Sequence, residues 1–195
     1  IPLRLVGSEM CIRDSRLVIS VAAGIQSGTL QAGLGASVPI IRCMPNTPAL
    51  VQAGMTGLFA TPNVTDAQKQ SAENILSAIG LLEWFSHESD LDAVTAVSGS
   101  GPAYFFLVIE AMEAAAVELG LTPEVAHQLV TQTALGAAMM ARDSADPVSI
   151  LRNNVTSPGG TTAAAINSLT EDQIPAIFAR AIASAHKRSI ELANE

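Results

Sequence analysis

The β-branched runs of this chain stop near Asp90, and that switch constrains its fold more than any other feature. Before it lie four short stretches of strand character: residues 17–21 (LVISV), 38–43 (VPIIRC), 54–60 (GMTGLFA) and 81–85 (LLEWF). Helical stretches separate them. Thr65, Asp66, Ala67 and Gln68 read as a capping box opening a helix that ends at Gly80. After Asp90 only helical patterns remain. Residues 91–97 predict a short helix broken by Ser98, Gly99, Ser100 and Gly101, and Pro102 then predicts the first residue of the next helix. Thr122, Pro123 and Glu124 open another, Asp146 and Pro147 a shorter one, and a last helix is predicted over residues 175–193. The expectation is α/β followed by all-α: part of an α/β sheet, then a helical domain.

The helix after Pro102 is apolar nearly all round. Glu110, Glu113 and Glu118 share one narrow face. So little polar surface predicts cover on most sides, from helices of another subunit. Leu129, Thr133, Gly136 and Met140 form a stripe on the following helix that allows close approach. The three glutamates and Gly120 argue for a soluble helix over a membrane span. A net charge of -8, with no basic stripe, argues against nucleic acid as a partner. The two cysteines, Cys11 and Cys43, have neither disulfide-framework nor metal-ligand spacing, which points to a reducing, cytoplasmic compartment. Residues 1–15 (IPLRLVGSEMCIRDS) follow neither period and lack the apolar core of a signal peptide; they read as a non-native leader.

The stretch richest in chemistry is residues 153–162, NNVTSPGGTT. Pro158 fixes one φ angle, and Gly159 and Gly160 reach conformations denied to other residues. A helix beginning near Thr161 presents unpaired N–H groups and the positive end of its dipole. Ser157, Thr161 and Thr162 add hydroxyls, so the segment suits a small anion such as a carboxylate. Upstream, Val97 to Tyr104 read VSGSGPAY, and Arg42 to Ala49 read RCMPNTPA. In the latter, two prolines stiffen a loop at a strand end, and Asn46 can close an Asx-turn. Cys43 reads as a small buried residue.

In their order and spacing, these three segments resemble the pyrroline-5-carboxylate reductase family, over essentially residues 16–195. The resemblance implies the C-terminal part of a Rossmann-like domain (residues 16–90) and a helical substrate and dimerisation domain (residues 91–195). It implies NADPH- or NADH-dependent reduction of 1-pyrroline-5-carboxylate to L-proline by a homodimer or a higher oligomer of dimers. Carried over residue by residue, Ser157, Gly160, Thr161 and Thr162 hold the substrate carboxylate, and Glu88 lies near the ring nitrogen. Ala23, in the turn after the first strand, and Asn154 meet the cofactor. The proton donor stays open between Thr162 and a water, with Glu88 stabilising the nitrogen's charge; Thr162 is the candidate catalytic residue.

One departure stands out. No glycine-rich turn of the G-x-G-x-x-G type precedes Arg16, so this polypeptide is expected to bind cofactor poorly. Two other functions fit parts of the pattern. A related imine or hydroxyacid reductase shares the architecture, but the only lysines, Lys69 and Lys187, are not beside the Gly-Gly loop where the hydroxyacid chemistry would want one. A non-catalytic helical oligomerisation module would have no need of residues 157–162.

Overall fold

A computed structural model of the chain describes residues 17–193. The leader expected at residues 1–15 lies outside them. The described residues divide into two units, one made of residues 17–102 with 182–193, the other of residues 103–181.

The first unit holds a four-stranded sheet in the order β1-β2-β3-β4, with β1 at Val18–Ser20, β2 at Ile40–Met44, β3 at Gly54–Ala60 and β4 at Gly80–Trp84. Helix α1 (Ser27–Leu34) links β1 to β2, and α2 (Asp66–Leu76) links β3 to β4. Both of these pairs are parallel. The middle pair, β2 and β3, is antiparallel and joined by a 3-10 turn at Thr47–Val51. A short connection cannot return a strand to a parallel position, so the proline-stiffened turn itself dictates the reversal.

β2 is buried from Ile40 to Cys43 because both faces are covered there. Ile41 and Cys43 face one core with Leu58, Val64, Ala72 and Leu76. Arg42 alternates to the opposite face, where it is buried as well. Burial pushes the Cys43 thiol up to about 12. At pH 8 about one thiol in 10⁴ is then ionised, and since thiolate is the reactive form, Cys43 will resist alkylation until the sheet unfolds. Iodoacetamide labelling with and without denaturant, read by mass spectrometry, checks this.

The capping box at α2 forms as expected: Thr65 accepts from Gln68 N while Gln68 reaches back to Thr65 N. Thr65→Ala should lower the unfolding free energy of this unit by about 1 kcal/mol in urea denaturation.

Two expectations need correction. The predicted break at Ser98–Gly101 is not a break. Helix α3 (Asp90–Val94) runs on through a π turn at Thr95–Gly99, where Ser100 N donates to Thr95 O at 2.8 Å, and α4 begins at Gly101–Glu118. The small residues admit a wider turn, so the chain stays helical. Helix α2 ends at Leu76, and a 3-10 turn at Ser77–Ile79 carries the chain to Gly80, which already belongs to β4.

The second unit consists of helices. After α4 come α5 (Pro123–Asp143), α6 (Val148–Asn154), α7 (Thr161–Glu171) and α8 (Ile174–Leu192), whose residues from 182 onward belong to the first unit. Thr122 caps α5 by accepting from Val125 N. His127 Nδ1 lies 2.8 Å from Glu113 Oε1, tying α5 to α4. Much apolar side chain faces outward here: Phe105, Phe106 and Leu107 on α4, and Leu129, Leu135 and Met140 on α5, are all more than half exposed.

Candidate functional site

The residues expected to carry chemistry fall into two groups, one in each unit. In the second unit the decisive local structure is a turn. Gly160 N donates to Ser157 O at 3.0 Å, Pro158 takes the second position, and Gly159, at φ +74°, takes the third. These are the requirements of a type II turn. Gly160 lies under the Ser157 side chain, and a Cβ there would come within 2.6 Å of Ser157 Oγ.

Gly160 is also the N-cap of α7 and offers no side chain to its first turn. The first helical bond in this turn runs from Ala164 N to Gly160 O. The amides of Thr161, Thr162 and Ala163 therefore keep the unpaired donors that every helix start leaves. Among the described residues, the hydroxyls of Ser157, Thr161 and Thr162 have no protein partner either. Ser157 and Thr161 are exposed and Thr162 is half-buried. Asn154 ends α6 in an exposed position.

In the first unit, Ala23 is exposed in the turn that follows β1. Its neighbour Gly24 takes φ +75°, and a Cβ there would lie 3.1 Å from Leu192 O, so the end of α8 packs against this turn. Glu88 sits three residues after Phe85 and does not hang free in solvent. Its Oε1 accepts from Ser27 N at 2.6 Å and from Arg42 Nη1 at 2.8 Å, and its Oε2 accepts from Ser27 Oγ at 2.6 Å. Burial pushes the Glu88 carboxyl up, but the hydrogen bonds from Ser27 and Arg42 and the Arg42 charge outweigh it, holding the group below the usual carboxylate range.

Asn46 does not form the expected side-chain Asx-turn. Its Oδ1 accepts from Met55 N at 2.9 Å and its Nδ2 donates to Ser98 O at 3.0 Å, so it bridges the loop after β2 to the start of β3 and to the π turn. Asn46 O, not its side chain, closes the local turn with Ala49 N.

Ser27 and Arg42 were not among the expected site residues. Arg42 had a visible signal: a cation inside a run of apolar strand residues must have a partner. Ser27 had none, because its partner is remote in the chain.

The residues 88–192 match a family model described as pyrroline-5-carboxylate reductase dimerisation. The Pseudomonas aeruginosa pyrroline-5-carboxylate reductase is 49% identical over 94% of this chain and 67% of its own length. This chain belongs to the pyrroline-5-carboxylate reductase family. The reductase of Pasteurella multocida is 45% identical over 92% of this chain and 66% of its own. The chain thus spans about two thirds of the length of these relatives.

Among solved structures, a pyrroline-5-carboxylate reductase from Coxiella burnetii superposes with a TM-score of 0.90 at 45% identity, covering 95% of this chain and 69% of that one. A Plasmodium falciparum pyrroline carboxylate reductase, solved with NADP bound, gives 0.86 at 35% identity, covering 91% and 70%. These reductases fix the fold class of both parts: the mixed sheet with its crossover helices, then the helical region.

Proposed function

We propose that this chain acts in the NAD(P)H-dependent reduction of 1-pyrroline-5-carboxylate to L-proline. The observation that carries the reading is the row of unpaired donors at the start of α7. The amides of Thr161 and Thr162 and the hydroxyls of Ser157, Thr161 and Thr162 all lie in residues 157–162, and Gly160 carries no side chain where a Cβ would run into Ser157 Oγ. A carboxylate fits that donor set, and hydrogen bonds to a charged acceptor contribute about 1.5–3 kcal/mol each. Thr162, half-buried in the first helical turn, is assigned to relay a proton toward the ring nitrogen.

The 22–24 turn fits the nicotinamide end of a dinucleotide. Ala23 is exposed and small, so a flat ring can approach the backbone there. The start of α1 does not fit a pyrophosphate, because the Glu88 carboxylate already holds its donors. Reduced nicotinamide supplies the hydride for the imine carbon when bound. Asn154 is assigned to the cofactor on the family resemblance alone. Glu88, expected near the ring nitrogen, makes its three hydrogen bonds inside its own unit.

The helical part acts, in this reading, as a cytoplasmic homodimer or an oligomer of dimers. Residues Asp90–Glu118 form a helical stretch long and apolar enough to cross a membrane by length and composition. The π turn within it, and Asp92, Glu110 and Glu113 along it, favour a second copy of the chain as its cover.

Calorimetric titration with L-proline, alongside NADPH oxidation in the presence of 1-pyrroline-5-carboxylate and of other cyclic imines, tests the assignment. L-proline binding that weakens at least about tenfold in Thr161→Val supports the carboxylate site. Equal turnover of unrelated imines would favour a broader imine reductase. L-proline that fails to bind would sink the reading, whatever the turnover.

A further inference from the structure

We propose that Ser27, Arg42 and Glu88 form a positioning clasp that fixes the 22–24 turn for the nicotinamide end of the cofactor. This rests on the reductase reading above and adds three residues to it, none assumed to touch substrate.

Helix α1 needs a cap from elsewhere. Its N-cap, Gln26, makes no side-chain capping bond, and no acidic residue lies in its first turn. Glu88 supplies both from 61 positions away in the chain, with Ser27 N and Ser27 Oγ each 2.6 Å from a carboxylate oxygen. Its negative charge also meets the positive end of the α1 dipole. Arg42 holds the same carboxylate from β2 at 2.8 Å, with side chains only 11% and 24% exposed.

The 22–24 turn is held at two points, Gly24 within it and Ser27 just after it. Ser27 is clasped by Glu88. Gly24 packs against Leu192 O, while Ser189 Oγ donates to Asp92 Oδ1 at 2.7 Å and so ties α8 to α3. The clasp borders a polar cavity of about 220 Å³ lined by Gln26, Arg42, Glu88, Ser89, Asp92 and Ala193. Among the described residues, Arg42 and Asp92 are the charged groups that line this cavity with Glu88. The sheet core of Ile41, Cys43 and Leu58 lies on the other face of β2, so the clasp orients a loop without building the core.

The clasp holds while Glu88 is ionised. Its carboxyl lies below the ordinary range in the folded chain. The contribution is therefore complete above the unfolded value near pH 4.5 and is lost as pH falls through the lower folded value.

Amide hydrogen exchange of residues 22–30, as protection factors over a pH series, tests this in the wild type, Glu88→Gln, Glu88→Asp and Ser27→Ala. Glu88→Gln should lower protection there by about tenfold, with β2 and β3 unchanged. The wild type should show the same loosening as pH drops below about 4.5, and Glu88→Gln should not respond to pH there. The aspartate should recover part of the protection. The NADPH dissociation constant should rise about tenfold in Glu88→Gln while that of L-proline stays put.

Unchanged protection in Glu88→Gln overturns the clasp. So does weakened L-proline binding with unchanged NADPH binding, which would put Glu88 on the substrate. A wild type that binds neither ligand defeats the reductase reading, while exchange and its pH profile still decide the clasp.

Discussion

Gly159→Val will weaken L-proline binding by about tenfold to a hundredfold, with a melting temperature within about 2 °C of wild type. Gly159 is at φ +74° in the third position of its turn, a conformation that a β-branched residue enters only at a cost of more than about 1–2 kcal/mol. The turn will relax instead. Its hydrogen bond from Gly160 N to Ser157 O then opens, and Gly160 is the residue from which α7 starts. The donors of Thr161 and Thr162 lose their aim together, so one substitution removes more than one bond to the carboxylate. Stability changes little because Gly159 is exposed and a Cβ there meets nothing within 4 Å. Gly159→Asn is the control, since asparagine tolerates the left-handed region and should keep affinity within about threefold. Calorimetry on the three proteins decides it; equal affinity in the valine variant would remove the loop from the site.

The double substitution Phe105→Glu with Phe106→Glu will turn the assembled protein into monomers. These rings are 73% and 63% exposed in the single chain. Placing a carboxylate inside an apolar subunit interface costs several kcal/mol unless it finds a partner, and α4 already carries acidic residues. The dissociation constant of the dimer should rise by at least about a thousandfold, enough to see monomers at micromolar concentration by sedimentation velocity. A variant that sediments as the wild type does would mean that another face makes the contact. The second unit exposes many other apolar residues, including Leu129, Met140, Val155 and Ile177, so secondary association through them is a defined alternative readout.

The sheet was readable because its strands are short apolar runs bounded by glycine and proline. The pattern predicts Gly54–Ala60 at its observed limits, and the neighbouring strands within a residue or two. Helix α1 was not readable as an element. Its sequence, SGTLQAGL, has two glycines, no apolar stripe and no local cap, because the group that caps it is Glu88. For the same reason the sequence showed Arg42 and Glu88 only as separate charges, one improbable in a strand and one ordinary in a loop. Where the chain forms a π turn, the breaker composition of Ser98, Gly99, Ser100 and Gly101 predicts an interruption. What overrides that composition is tertiary: Ser98 O receives Asn46 Nδ2, and a side chain on Gly99 would run into Met44. The 157–162 loop was the opposite case. Its conformation follows from Pro158, Gly159 and Gly160 alone, so the local sequence sufficed.

The return of residues 182–193 to the first unit makes residues 103–181 an insertion rather than an appendage. The inserted segment enters through α4 and leaves through α8, two unbroken helices. Such a segment has no free end, so it cannot be released by a single cut and cannot be exchanged as a cassette at its C-terminal side alone. Deleting the last turn of α8 would remove nothing from the 157–162 loop. It would nonetheless strip Leu192 from Gly24 and Ser189 from Asp92, so the damage would register at the 22–24 turn and at α3.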